Sequence, residues 1–160
     1  MRPKKIAVAL LLLSASFTAV ADDACPATGS EKDRVAYLTS RLDALKAESD
    51  AKKKEQEEWL ELIRAKLKLD GKWSENVGKT WSRETMSDPG FVEHQSNIAR
   101  HLKQYDASLL SALSDPQAPC SQIEATISSL QAVQAETLMQ YKIMTDSMLA
   151  LSGLPFGNDR

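Results

Sequence analysis

The chain has 160 residues, of which 42% are hydrophobic, 26% charged and 6% aromatic, and its formal net charge is −2. This length suits one domain or two small ones, and the hydrophobic share is too high for an intrinsically disordered protein. A nearly neutral charge balance also argues against a protein that works on nucleic acid, so we expect no nucleic-acid partner.

The first 21 residues have the pattern of a secretory signal peptide. A basic start and an uninterrupted apolar run over 6–13 precede a small-x-small triplet that ends at Ala21. The run is too short for a retained anchor, since a spanning helix needs about 20 apolar residues. We therefore predict cleavage after Ala21 and a single domain over 22–160 without a membrane span. Because the short basic leader is typical of bacteria, the predicted location is the periplasm.

The two cysteines predict a disulfide. Loss of a leader with three basic residues leaves 17 basic and 22 acidic residues, a net charge of −5, in an oxidising compartment. With only Cys25 and Cys120 in the chain, one pairing is available. Closing so long a loop is worth ~4–5 kcal/mol in the chain-entropy model. Two free thiols or an intermolecular bridge are the alternatives.

Helical patterns begin after an irregular lead-in over 22–30. Ser30 and Asp33 resemble a capping box, and the helix they start runs to about Leu69. A shorter segment over 72–87 carries two tryptophans on one helix face. These rings are expected to seal a core with Trp59 and Ile63, or, if exposed, to act as binding hot spots.

The second half of the chain predicts two further helices. Asp88 is a suitable N-cap and Pro89 suits a first helical turn, so a third helix follows over 91–113. Ser121 and Glu124 predict a second capping box, and Gly153 terminates the last helix. Since no stretch alternates apolar and polar residues as a strand does, the fold class is all-α.

The apolar spacing inside the long helices is close to 3.5 residues, which favours coiled-coil-like packing. We predict an elongated antiparallel helical bundle with three main arms, the middle arm broken near Pro89, and one disulfide. An up-down-up order places Cys25 and Cys120 at the same end, where they can pair.

The first helix has a polar waist over 46–58, without a large apolar residue. Counted by distance along the bundle axis from the disulfide end, this waist lies opposite residues 136–148, a methionine-rich strip. In one interpretation the first helix bends or shifts so that Trp59, Ile63 and Leu67 cover the strip, or a second subunit does. In the other, the strip stays open as a groove for a partner helix or unfolded chain, because methionine adapts to varied shapes.

The open interpretation defines a predicted partner surface, in which Met144→Asp would disturb association more than folding. The lysine triplet of the waist is included, although it also fits an anionic lipid or phosphate site or an ordinary solvated face. The predicted partner-binding residues are Met139, Tyr141, Met144, Met148, Lys52, Lys53 and Lys54.

No metal, cofactor or catalytic site is predicted. His94 and His101 are seven residues apart, about 10 Å along a helix, which is too far for one ion. Met139, Met144 and Met148 could ligate Cu(I), but core filling is the simpler interpretation. No nucleophile motif or phosphate-binding loop is present, so no enzyme activity is expected.

The functional expectation is a non-catalytic periplasmic helical protein that binds another protein, as a secretion or conjugation accessory, an inhibitor or an immunity protein does. The alternative is a periplasmic holdase chaperone for unfolded clients. Self-association into a homo-oligomer is a further alternative for the apolar surface.

Overall fold

A computed structural model describes residues 25–26, 30–115 and 118–153. These residues form four helices, α1 (Glu31–Leu69), α2 (Glu75–Met86), α3 (Pro89–Ser114) and α4 (Cys120–Ser152), and the described ranges contain no strand. The all-α prediction is confirmed. The predicted signal peptide lies outside the described residues. No helix within them is long and apolar enough to cross a membrane.

Helix α1 begins at the predicted capping box and is continuous through its polar waist. The Ser30 hydroxyl accepts from the backbone N–H of Asp33, and the Asp33 carboxylate accepts from the Ser30 N–H at 2.9 Å. Two ion pairs along the helix support the helical waist, with Lys52 Nζ 2.5 Å from Glu48 Oε1 and Lys54 Nζ 3.9 Å from Glu58 Oε1.

The middle arm is broken where predicted. Asp88 Oδ1 accepts from the N–H groups of Gly90 and Phe91 at 2.9 and 3.1 Å, and Pro89 occupies the first turn of α3. Pro89 has no N–H to donate and its fixed φ fits a first turn, so the chain restarts as a new helix at this point.

The start of α4 differs from the prediction. Pro119 is the N-cap and makes no side-chain cap hydrogen bond, so the predicted capping box of Ser121 and Glu124 is wrong. Because the helix already begins at Cys120, Ser121 lies inside the first turn, where its backbone is helical and cannot cap. At the other end Gly153 takes a left-handed conformation (φ 71°) and ends the helix as predicted.

The disulfide between Cys25 and Cys120 is present, with a Cα–Cα distance of 5.6 Å. Beside it, a core cluster joins the start of α1, the end of α3 and the start of α4. This disulfide-end cluster consists of Leu38, Leu45, Ala112, Ile123 and Ile127. Since the beginning of α1 meets the end of α3, the three arms alternate in direction, and the predicted up-down-up order is confirmed.

A second core cluster seals the opposite end of the bundle. This tryptophan-end cluster consists of buried Leu60, Ile63, Leu67 and Met148, with Trp73, Trp81, Tyr141, Met144 and Leu149 packed against it. The rings of Trp73 and Trp81 lie 5.9 Å apart, and the Arg64 guanidinium lies 5.6 Å above Trp73. The tryptophans therefore fill a core as predicted, but Leu60 takes the place expected for Trp59, which is 37% exposed.

Helix α4 holds the bundle together. It packs against α3 along much of its length, against α1 on another side and against α2 at the tryptophan end. Helices α1 and α3 make at most slight contact with each other. This arrangement leaves a space between α1 and α3 above α4.

Candidate functional site

Side-chain hydrogen bonds set the register of α1 against α4. Gln134 Nε2 donates to the backbone carbonyl of Leu45 at 2.7 Å, and the Tyr141 hydroxyl donates to Glu57 Oε1 at 2.9 Å. The polar waist of α1 therefore lies beside about residues 134–142, and the prediction that it faces 136–148 is wrong at its far end. Gln134 and Thr137 occupy core-type positions of α4 at this height, so a polar stretch meets a polar stretch.

The methionine strip is largely covered by the second half of α1. Met148 is fully buried and Met144 is half-buried, both in the tryptophan-end cluster, so the interpretation in which α1 covers the strip is the one found here. Met139 is 50% exposed and lies apart from them. Met148 therefore exposes no surface that a partner could contact.

Tyr141 and the lysine triplet of the waist have separate surroundings. Burial, reinforced by the hydrogen bond to Glu57, raises the pKa of the half-buried Tyr141 phenol. Lys52 and Lys54 pair with Glu48 and Glu58 along the outside of α1. Lys53 alone of the triplet lines the space between α1 and α3. The structure therefore does not bring the predicted partner residues together as one surface.

The space between α1 and α3 is an open groove of about 500 Å³, which we call the α1–α3 groove. Its floor is α4 and its two walls are the facing sides of α1 and α3. Most of its lining surface is apolar, and six of the fifteen lining residues are leucine or valine. The lining residues are Leu38, Thr39, Leu42, Asp43, Lys46, Ser49, Asp50 and Lys53 of α1, Tyr105, Leu109 and Leu113 of α3, and Leu130, Val133, Gln134 and Thr137 of α4.

The groove was not predicted as a site, although part of its lining carries a sequence signal. Tyr105, Leu109 and Leu113 follow one another at four-residue spacing on α3, as do Leu38 and Leu42 on α1. An apolar stripe of this kind is typically buried against another element. Leu113 is 58% exposed, so its stripe is only partly covered within the described chain.

The α1 rim of the groove carries four charges that alternate in sign: Asp43, Lys46, Asp50 and Lys53. None of the four forms an ion pair within 4.0 Å among the described residues. Other charges of the same helix do pair, as Glu48 does with Lys52. The groove side of α1 is therefore a charged edge without internal partners.

Polar groups on the groove floor are occupied by the backbone. Gln134 Nε2 donates to the Leu45 carbonyl, and the Thr137 hydroxyl donates to the Val133 carbonyl at 2.8 Å. In the described part of the chain no group of three or more His, Cys, Asp or Glu side chains is placed to hold a metal ion. The groove accordingly provides apolar contacts and charges on its rim, but no cluster of polar side chains that point to one place.

A polar contact between α3 and α4 was also missed from the sequence. Nδ1 of His94 lies 2.5 Å from Glu136 Oε2 and donates to it, because a carboxylate only accepts, and Asn97 Nδ2 donates to Oε1 at 3.3 Å. The His94 hydrogen bond lowers the pKa of Glu136, against an opposing effect of burial. One indication of this contact was present in the sequence, because Glu136 is the one acidic residue between 125 and 145 of α4.

Comparison with known proteins assigns no family. Neither protein-family models nor curated proteins nor solved structures give a match to this chain. Its function must therefore be inferred from the α1–α3 groove and the surfaces around it.

Proposed function

We propose that this protein is exported to the bacterial periplasm and there binds another protein, without catalysis, through the α1–α3 groove. The observation that carries the proposal is an open groove of about 500 Å³ with leucines on both walls. Concave apolar surfaces that stay uncovered within a bundle are typical of binding sites. Such a surface lowers the stability of the free protein, because exposed apolar area is unfavourable in water.

Export is supported by three observations. The leader pattern over residues 1–21 is that of a secretory signal, and a disulfide joins Cys25 to Cys120. No helix in the described ranges suits a membrane span. Together they favour a folded protein that acts after translocation.

A dedicated partner is favoured over a broad client range. A holdase is expected to use a wide, adaptable surface, and methionine suits such surfaces. Met144 and Met148 instead pack into the tryptophan-end cluster, and the disulfide ties the segment before α1 to the start of α4, the floor of the groove. A groove of defined shape discriminates among partners better than an adaptable one.

The absence of catalysis is supported by the contents of the groove. Its floor groups Gln134 and Thr137 already donate to backbone carbonyls. The His94–Glu136 pair, which resembles an acid–base pair in composition, does not line the groove. No residue of the lining is paired with a base that would activate it.

Site-specific photocrosslinking in the periplasm tests the proposal. A photoreactive phenylalanine analogue replaces Leu113 in the groove wall or, as a matched control, Leu62, since the two are 58% and 63% exposed. We expect one discrete adduct from position 113 and none from position 62. Many adducts of different mass from both positions would favour the holdase, and the lack of any adduct from position 113 would contradict the proposal.

A further inference from the structure

We propose that the α1–α3 groove receives a single amphipathic α-helix of the partner, about 15 residues long, with an aliphatic seam and charges that alternate along one flank. This inference rests on the proposed function and specifies its partner. The incoming helix would lie between α1 and α3, with its seam towards α4 and its charged flank towards the α1 rim.

The arrangement of the three arms is that of a four-helix bundle lacking one helix. Helices α1 and α3 both pack against α4 but make at most slight contact with each other. In a four-helix bundle, two helices that share a neighbour in this way are joined on their other side by the fourth helix. The position diagonal to α4 is the α1–α3 groove.

The length of the groove fits a helix. Its α1 wall extends from Leu38 to Lys53, which corresponds to about 22 Å at 1.5 Å per residue. A helix of about 15 residues, or four turns, spans the α1 wall, and about 12 Å of it lies beside the α3 wall from Tyr105 to Leu113. The α3 wall presents Tyr105, Leu109 and Leu113 one turn apart, which forms the ridge that a helix packs against.

The chemistry of the lining favours aliphatic anchors over a small polar ligand. Leu42 and Leu109 line the two walls, and the floor includes Leu130 and Val133. A small ligand would need a few convergent polar groups to orient it, and the floor polar groups already bind the backbone. A helix satisfies its own backbone and needs only apolar contact from the groove.

The rim charges specify the flank of the incoming helix. Asp43, Lys46, Asp50 and Lys53 follow one another at spacings of three, four and three, so they form one stripe along α1. A facing helix with base, acid, base and acid at the same spacings would pair with all four. Such flanking pairs set register and partner choice more than affinity.

A synthetic helix is the probe for this inference. One fluorescent 16-residue peptide carries a leucine seam and a flank in which Lys and Glu alternate at the rim spacing. A control peptide has the same seam and composition, but its two Lys precede its two Glu. Because the control pairs with only two rim charges in either orientation, we expect the alternating peptide to bind one-to-one and about fivefold tighter at low salt, an advantage that shrinks at high salt.

Exchange of two rim charges provides the reciprocal test. The variant Lys46→Asp with Asp50→Lys orders the rim as two acids followed by two bases, which matches the control peptide. We expect its preference to reverse, since the control now pairs at four positions and the alternating peptide at two. All of these positions belong to α1 and lie on the groove rim, so the fold should be unchanged.

Leu113→Lys, compared with Leu62→Lys, tests the apolar seam. The groove substitution should weaken both peptides about tenfold or more, and the control should leave both unchanged. Equal binding of the two peptides, or no saturable binding, would overturn the helix inference but not the crosslinking result at position 113. Dimers in sedimentation that Leu113→Lys dissolves and Leu62→Lys does not would also overturn it, because a second copy would then occupy the groove.

Discussion

The two ends of the bundle have the same plan but are completed differently. At each end α4 lies between α1 and the middle arm. At the tryptophan end the rings of Trp73 and Trp81 fill the space between these arms. At the disulfide end α3 offers Leu109 and Leu113, which are smaller than indole rings, and the α1–α3 groove remains open.

The comparison shows two ways of stabilising a three-helix end. The tryptophan end depends on packing, since Leu67 and Met148 are fully buried there. The disulfide end adds a covalent tie to a cluster that includes Leu38 and Ile123. A disulfide stabilises by restricting the unfolded chain, so it requires no further burial of apolar surface. The tie therefore adds stability without closing the space between α1 and α3.

The largest expected effect comes from removal of the tie. Cys25→Ser with Cys120→Ser opens a loop of 95 residues, and the free energy of unfolding should fall by ~4–5 kcal/mol. Urea denaturation followed by circular dichroism measures the change. Dithiothreitol should destabilise the wild-type protein similarly and leave the double variant unaffected. Equal stability of the two proteins would mean that packing alone holds this end.

Truncation of a buried methionine tests the packed end. Met148→Ala removes a fully buried side chain and should cost ~3 kcal/mol, within the usual range for such cavities. Met139→Ala, at a position that is 50% exposed, is the matched control and should change stability by less than ~0.5 kcal/mol. For the same reason, Met144→Asp should now impair folding. Similar losses for both alanine variants would contradict the assignment of Met148 to the core.

Gly78 tests how closely the tryptophan end is packed. A Cβ at this position would lie 3.0 Å from Cζ2 of Trp73. Gly78→Ala should therefore lose ~1 kcal/mol, because overpacking outweighs the gain in helix propensity. In a Trp73→Leu background the same change should stabilise by ~1 kcal/mol. Thermal unfolding of the wild type, the two single variants and the double variant gives the coupling energy between positions 73 and 78. Stabilisation by Gly78→Ala in both backgrounds would show that the Trp73 ring can move aside.

Filling the groove should make the disulfide end resemble the other end. Leu113→Trp places a large ring in the wall and should stabilise the protein by up to ~1 kcal/mol through added apolar burial. It should also abolish crosslinking from a neighbouring groove position such as Leu109. Leu62→Trp, on a different surface, serves as the control. Unchanged crosslinking would mean that the partner contacts some other face.

The smallest effect concerns the contact between α3 and α4 midway along the bundle. The folded-state pKa of Glu136 lies below its usual 4.5, so the folded protein retains this charge at a lower pH than the unfolded chain does. Its contribution to stability is complete above pH 4.5 and is lost as the pH falls through the lower folded value. The stability difference between wild type and Glu136→Gln should therefore shrink in acid. A difference that stays constant down to pH 3 would contradict this assignment.

The break near Pro89 could be predicted because local chemistry decides it. Asp88 and Pro89 carry the cap and the fixed dihedral in adjacent residues. The capping box at Ser30 and the glycine stop at Gly153 are equally local. The start of α4 was predicted two residues late, because Pro119 is the N-cap and the helix begins without a side-chain cap.

The register of α1 against α4 could not be predicted in the same way. Between Leu45 and Trp59 α1 has no large apolar side chain, so the apolar pattern does not specify its axial position against α4. Long-range contacts such as Tyr141 with Glu57 decide the position. As a result Leu60 and Ile63 pack with Met144 and Met148, two of the predicted partner-binding residues, while Met139 stays exposed.

By itself, the sequence determined the helical segments, their order and the disulfide, since capping, periodicity and cysteine number act locally or allow one solution. Only the tertiary structure decided which apolar surfaces are covered. The α1–α3 groove exists because two helices pack on a common neighbour and at most slightly on each other. That relation joins residues far apart in the chain, and no local pattern encodes the distance between them.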